Sequence, residues 1–133
     1  MPAARRDPAI RTILLPRDTN ASGTIFGGII LSYIDLAAVV EATRINPRRR
    51  YVTVAMDQVV FHEPVFVGDL VSFYTRLVKE GRTSVTVDVE VVAERRSEPG
   101  KEVQVTEARV VYVAVDENRR PIPIRDGPAP ERG

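Results

Sequence analysis

The stretch GGIILSYIDLAAVV, from Gly27 to Val40, decides how this chain folds, because it is largely apolar and must be buried. Asp35 is its only charged residue. Strong helix formers fill its second half and Asn46–Pro47 supplies a stop, so the sequence predicts a helix from Gly27 to about Thr43. Such an apolar helix must be wrapped by other structure. Burying the carboxylate of Asp35 there costs several kcal/mol unless hydrogen bonds compensate, which marks this residue as a candidate for chemistry.

Four segments after the helix are rich in Val, Phe, Tyr and Thr, which is typical of β-strands. The predicted strands are Tyr51–Phe61, Asp69–Lys79, Thr83–Glu94 and Val103–Val115. In the third of them, valines alternate with polar residues, which indicates one buried face and one exposed face. A change of this alternation in the last strand predicts a bulge near Thr106 and Glu107. Short turns between the strands predict antiparallel hairpins.

The predicted elements occur in a simple order: a short strand at Thr12–Leu15, the long helix, and then the four strands. This order predicts an α+β fold in which one curved antiparallel sheet packs around one central helix. We place the folded domain at residues 9–116, between a flexible N-terminus at residues 1–8 and a proline-rich flexible tail at residues 117–133. One sheet covers only part of such a helix and leaves strand edges unpaired, so we expect a homodimer.

Composition excludes several classes of function. A net charge of +1 over 133 residues gives no reason to expect nucleic acid or a membrane surface as a partner. The chain has no cysteine and one histidine, His62, which excludes disulfides, cysteine zinc sites and a multi-histidine metal cluster within one chain. Residues 1–16 lack the apolar core of a secretory signal and Gly27–Val40 is too short to span a membrane, so we expect a cytoplasmic protein.

Three features converge at the start of the predicted helix. Asn20 lies shortly before it, Gly27 and Gly28 open it, and Asp35 follows about two turns later. Seven positions at about 100° per residue return to the same side of a helix, so Asp35 shares a stripe with Gly28. Unpaired N–H groups at a helix start could stabilise the oxyanion of a carbonyl substrate, while the carboxylate activates water or attacks directly. This arrangement favours cleavage of an acyl group from a good leaving group.

The same residues belong to a series of motifs that resembles a known family. NASGTIFGG from Asn20 to Gly28, followed by Asp35, is similar to the signature of the hot-dog-fold acyl-CoA thioesterases, in particular the short bacterial YciA-type acyl-CoA thioester hydrolases. Later segments match further elements of that family: FHEPVFVGD from Phe61 to Asp69, GRTS from Gly81 to Ser84, and VAVD from Val113 to Asp116. The resemblance covers all but the ends of the chain, and it implies a hot-dog fold.

The resemblance implies a role for each catalytic candidate. Asp35 would act as a general base on water or as a nucleophile, and Asn20 would orient the water or the thioester carbonyl across a dimer interface. Gly28, together with Gly27, would offer backbone N–H groups to the thioester oxygen. The dimers of this family often assemble into hexamers. The resemblance implies neither a metal nor a redox cofactor. Coenzyme A would enter only as part of the acyl-CoA substrate.

A second group of residues would bind the coenzyme A part of that substrate. Thr83 and Ser84 would lie near the pantetheine arm or the nucleotide end, and Arg82 would contact a phosphate. Thr83 and Ser84 have a structural alternative, since they could simply begin a strand. The run Arg48–Arg50 has no counterpart in the family pattern and is typical of a solvated loop.

Each of the other candidates also has a structural interpretation. Asp35 could be a hydrogen-bonded structural acid, and Asn20 could be only a turn or capping residue. Gly27–Gly28 could exist to let a strand pass close by. Glu41 is rotated away from the Asp35 stripe, so we expect it to be solvated or to face a dimer partner. His62 precedes a proline-containing loop and is expected to be a surface residue.

Two alternative functions stay open at this point. A hot-dog hydratase or dehydratase would pair the carboxylate with a histidine near the helix start, but Thr19–Asp35 contains no histidine. A non-catalytic module that binds acyl-CoA would keep the pocket at the helix end and release no thiol. Such a module gains nothing from a buried base, so the sequence favours hydrolysis.

Overall fold

The computed structural model describes residues 7–125. Within these residues it has one α-helix, α1 at Gly27–Ile45, and a short 3-10 helix at Pro16–Asp18. The strands are β1 Ile10–Ile13, β2 Arg50–Phe61, β3 Leu70–Glu80, β4 Ser84–Glu94 and β5 Glu102–Val115. Every predicted element is present, although β1 begins earlier than expected and α1 continues to Ile45. In the described part of the chain, no helix is long and apolar enough to cross a membrane.

The five strands form one antiparallel sheet in the order β1-β3-β4-β5-β2. Helix α1 packs across one face of this sheet and contacts β3, β4, β5 and β2. The inward valines of β4 are buried, as their alternation predicts: Val85, Val87, Val89 and Val91. The predicted α+β architecture is therefore confirmed.

The two sides of α1 have different surroundings. The residues that are buried are apolar, and several are small: Ile30, Ile34, Ala37, Ala38 and Ala42. On the opposite side, Gly28, Ser32, Leu36 and Thr43 are exposed, and Leu36 has 54% of its surface accessible. We call this stripe the open face of α1. As predicted, the sheet covers only part of the helix.

The predicted bulge in β5 is present. The pairing of β4 with β5 changes from Val91 opposite Thr106 to Val92 opposite Gln104, which leaves Val105 as the extra residue. The prediction placed the bulge at Thr106 and Glu107, so it was one residue late. The bulge has a second effect, since the main-chain oxygen of Val105 accepts a 2.7 Å hydrogen bond from the N–H of His62.

The folded body extends beyond the boundary predicted at Asp116. Ile124 is fully buried in the core, and its N–H donates to the main-chain oxygen of Arg82 at 2.9 Å. The side-chain amide of Asn46, at the end of α1, donates to the oxygen of Ile124 at 2.7 Å. A loose tail from residue 117 is therefore wrong for residues 117–125, because an apolar side chain there fills the core. Residues 1–6 and 126–133 of the predicted flexible ends lie outside the described residues.

Among the buried side-chain polar atoms of residues 7–125, the hydroxyl oxygen of Thr106 is the one that has no hydrogen-bond partner. The side chain is 0% exposed, on the inward side of β5 beside the bulge. A buried hydroxyl that makes no hydrogen bond has lost its hydration without compensation, which typically costs about 1–3 kcal/mol.

We predict that Thr106→Val stabilises the protein by about 1 kcal/mol, because valine has the same shape and no group to desolvate. The measurement is urea denaturation at one fixed protein concentration. Thr75→Val is the matched control, since Thr75 is also buried but donates a 2.9 Å hydrogen bond to Glu41. Thr75→Val should destabilise the protein, and a loss of stability in both variants would contradict the prediction.

Candidate functional site

The carboxylate of Asp35 is held by hydroxyl groups from two neighbouring strands. Tyr112 of β5 donates to Oδ1 of Asp35 at 2.6 Å and approaches the main-chain oxygen of the same residue at 2.5 Å. Thr53 of β2 donates to the same Oδ1 at 2.9 Å. Asp35 is half-buried, at the border between the sheet and the open face of α1. Part of the hydration that the carboxylate loses is thus replaced by hydrogen bonds.

Tyr112 and Thr53 are site residues that the sequence did not identify. One signal was available, since Tyr112 lies on the inward side of β5 among Ala108, Val110 and Ala114. A buried tyrosine in a row of aliphatic residues needs a partner for its hydroxyl. Burial, and then the hydrogen bond to Asp35, raise the pKa of Tyr112 well above its ordinary value. The phenol therefore remains a neutral donor.

The first N–H groups of α1 are not capped by a side chain. Its N-cap is Phe26, which provides no side-chain hydrogen bond to the helix, whereas Ser, Thr, Asp or Asn would occupy a donor. A Cβ atom on Gly28 would lie 2.6 Å from the ring of Phe26, and one on Gly27 would lie 3.5 Å from the ring of Phe61. Both rings are half exposed. The glycines thus allow two aromatic rings to lie close to the helix entrance.

Asn20 organises the turn before the helix. Its Oδ1 accepts a 2.8 Å hydrogen bond from the N–H of Ser22, and its Nδ2 donates to Oγ1 of Thr24 at 3.0 Å. Asn20 is exposed, and within residues 7–125 its side-chain hydrogen bonds stay in this turn. Within one chain, therefore, Asn20 has the geometry of a turn residue, and it is not hydrogen-bonded to Asp35.

The predicted coenzyme A residues, Arg82–Ser84, lie at the other end of the helix. Arg82 and Thr83 lie in the turn between β3 and β4, and Ser84 is the first residue of β4. The oxygen of Arg82 accepts a hydrogen bond from Ile124, which is in turn bonded to Asn46 at the end of α1. A helix of 19 residues is about 28 Å long. A single chain therefore does not bring this turn together with Gly27–Gly28.

A buried ion pair anchors the loop beside the helix entrance. Arg95 donates to Oδ2 of Asp69 at 2.7 Å and to the main-chain oxygen of Pro64 at 2.8 Å. Asp69 is 2% exposed and Arg95 8%. Asp69 also accepts a 3.0 Å hydrogen bond from the N–H of Phe66. The same loop holds the chain just before α1, since the oxygen of Val65 accepts the N–H of Ile25 at 2.9 Å.

Two other ionisable residues take structural positions. His62 pairs with Glu107 at 2.7 Å on the surface, as expected for a surface histidine. Glu41 accepts a hydrogen bond from Thr75 of β3 and its side chain is 16% exposed, so the expectation that it is solvated is wrong, while a contact with a dimer partner stays a prediction. The sheet, rather than solvent, covers this side of α1. Among the described residues, no group of three or more His, Cys, Asp or Glu side chains could hold a metal ion.

Comparison with known proteins assigns the chain to a family. The sequence pattern described as the Thioesterase superfamily matches residues 22–99. Acyl-CoA thioester hydrolase YciA of Escherichia coli (strain K12) is 44% identical over 117 residues, which cover 86% of this chain and 88% of YciA. This chain belongs to the thioesterase superfamily.

Solved structures confirm the hot-dog fold of this thioesterase. Cj0915, a hexameric hotdog fold thioesterase of Campylobacter jejuni, is 44% identical and superimposes with a TM-score of 0.84, covering 91% of this chain and 92% of its own. The hexameric thioesterase y2039 from Yersinia pestis is 38% identical, with a TM-score of 0.85 and coverage of 96% and 100%. The predicted resemblance is therefore confirmed at the level of family and fold.

We predict that Asp69→Ala destabilises this thioesterase by about 3–5 kcal/mol, because the variant removes the buried carboxylate that pairs with Arg95 and leaves only the exposed Glu63, 3.9 Å away. The measurement is urea denaturation at fixed protein concentration. Glu98→Ala is the control, since it breaks a surface pair with Lys101 that is largely exposed on both sides. It should cost less than about 1 kcal/mol. Equal effects of the two variants would refute the proposed anchoring role of Asp69.

Proposed function

We infer that this thioesterase hydrolyses acyl-CoA to coenzyme A and a carboxylic acid. One observation carries the inference most directly: a half-buried carboxylate at Asp35, on the same helix as an entrance opened by Gly27–Gly28. The identity of 44% with an acyl-CoA thioester hydrolase over most of both chains supports the same activity. In this proposal Asp35 is the catalytic residue, and Gly28 offers its N–H to the thioester oxygen.

The chemistry needs one carboxylate and one water molecule. As a general base, Asp35 removes a proton from water while the water oxygen bonds to the thioester carbon. The carbon–sulfur bond then breaks, and the sulfur leaves as a thiolate that takes up the proton. As a nucleophile, Asp35 would instead form an anhydride, release the thiolate, and be regenerated by water. Both routes give the same products, and in both the developing oxyanion faces the N–H groups of Gly27 and Gly28.

We propose that a second subunit completes the site. The open face of α1 and the unpaired edge of β2 form an apolar surface for such pairing, with Leu36, Val54 and Phe61 exposed on it. Pairing of β2 with its copy around a twofold axis would set the two helices antiparallel. The amino end of one helix would then lie near the carboxyl end of the other. Gly28 of one subunit would thereby approach Arg82–Ser84 of its neighbour.

The same arrangement gives Asn20 the role that the family resemblance implies. Its turn lies at the amino end of α1, so a neighbouring subunit could bring it to Asp35, where its amide would orient the water or the carbonyl. Cj0915 and y2039 are both hexameric. We propose that this chain assembles in the same way, as a trimer of dimers. Contacts of Arg82, Thr83 and Ser84 with coenzyme A, the absence of a cofactor and a cytoplasmic location stay predictions.

We predict that Asp35→Asn abolishes thiol release from acyl-CoA, by a factor of about a thousand or more, while the variant stays folded. Asparagine keeps the size of the side chain and removes the base. The matched control is Glu41→Gln, because Glu41 is also a half-buried carboxylate on α1 that accepts a hydrogen bond from a strand threonine. The assay is thiol release across short, medium, long and aromatic acyl-CoAs.

The control separates loss of chemistry from loss of structure. Glu41→Gln should retain thiol release within about threefold. An active Asp35→Asn variant would contradict the proposed chemistry. A wild-type protein that binds acyl-CoA and releases no thiol would instead favour the non-catalytic binding module.

We also predict that Leu36→Glu dissociates the assembly and removes thiol release, because it places a charge in the centre of an apolar contact. The measurement is size-exclusion chromatography with light scattering, beside the thiol assay. Leu36→Met keeps an apolar side chain of similar volume and should behave as the wild type. A Leu36→Glu variant that keeps its assembly would show that the open face of α1 is not the interface.

A further inference from the structure

We propose that Tyr112, together with Thr53, positions the carboxylate of Asp35 so that Oδ1 is anchored and Oδ2 is the oxygen that reacts. The inference rests on the proposed function of Asp35 and assigns a role to each of the two carboxylate oxygens. Tyr112 and Thr53 are positioning residues in this scheme, since they act on the substrate only through Asp35.

The first argument is that both hydroxyls meet on one oxygen. Tyr112 and Thr53 donate to Oδ1 of Asp35 at 2.6 and 2.9 Å. In residues 7–125, the hydrogen bonds to this carboxylate all end on Oδ1. An ionised carboxylate accepts on both oxygens, so two donors on one of them fix the rotation of the group and leave the other free. Oδ2 is thus the oxygen available to a water molecule or a thioester carbon.

The second argument is that the pairing of the strands places the two donors side by side. Tyr112 and Thr53 are direct partners in the pairing of β5 with β2, so their side chains lie on the same face of the sheet. Tyr112 is 1% exposed and is also bonded to the main-chain oxygen of Asp35, which restricts movement of its ring. The pairing of β2 changes register immediately after Thr53, at Val54. An irregularity at this position can turn the Thr53 hydroxyl towards the helix.

The third argument concerns charge. Burial raises the pKa of Tyr112, so its phenol stays protonated and continues to donate at any pH at which the enzyme is active. Thr53 carries no charge, and the neighbours of Asp35 along the helix, Ile34 and Leu36, are apolar. The two described groups bonded to this carboxylate, Tyr112 and Thr53, therefore both keep their protons and continue to donate.

The test is steady-state kinetics of Tyr112→Phe with one acyl-CoA substrate. We expect kcat to fall by about 10- to 100-fold with KM changed less than about threefold, because a misplaced base affects the reaction more than binding. Thr53→Val, which keeps the shape of the side chain, should lower kcat by a smaller factor, again with little change in KM.

The matched control is Tyr51→Phe. Tyr51 also lies in the sheet, and its hydroxyl donates to the main-chain oxygen of Asn46 at the end of α1, away from Asp35. This variant should keep the wild-type kcat and the wild-type KM. A loss of activity equal to that of Tyr112→Phe would show a general effect of removing a phenol and would overturn the inference.

Other outcomes separate this inference from the function it rests on. An inactive wild type would overturn the proposed function itself. An active wild type with an unchanged kcat in Tyr112→Phe would overturn only the positioning role, as would a rise of KM as large as the fall of kcat. If Tyr112→Phe fails to fold or assemble, Thr53→Val decides, and an unchanged kcat in that variant overturns the inference.

Discussion

Two hydroxyl groups hold a carboxylate where the central helix lies across the sheet, and this contact connects the packing of the protein with its proposed chemistry. Helix α1 must bury one apolar side to form the core, and Asp35 lies at the border of that side. Tyr112 and Thr53 compensate part of the cost of desolvating the carboxylate. The same bonds connect α1 to β5 and β2, so Asp35 helps to hold α1 against the sheet.

A single chain also leaves apolar surface of α1 exposed, for a related reason. A sheet of five strands covers one side of α1 and leaves Leu36 exposed on the other. The helix entrance at Gly27–Gly28 and the turn at Arg82–Ser84 lie near opposite ends of a helix about 28 Å long. Antiparallel pairing of two chains is the simplest way to place one next to the other. The exposed apolar surface and the separation of the two proposed site segments therefore both favour the proposed pairing of two chains.

Contacts distant in the sequence hold both ends of α1 in place. At the amino end, the Asp69–Arg95 pair anchors a loop whose Val65 oxygen binds the segment before the helix. At the carboxyl end, Asn46 is bonded to Ile124, whose side chain fills the core. Because the helix start lacks a side-chain cap, its position depends on these neighbours. The N–H groups at the entrance can therefore stay available to a substrate.

The sequence by itself determined the order of the elements, the alternation in β4, the bulge in β5 and the candidacy of Asp35, because these follow from local propensity and periodicity. Motifs in the order of a known family also predicted the fold and the thioesterase assignment. Only the tertiary structure decided which groups contact Asp35, since Tyr112 lies 77 residues away along the chain. It also placed Glu41 against Thr75 and Ile124 in the core. Such contacts depend on strand register and helix rotation, which are set by packing of the whole chain rather than by neighbouring residues.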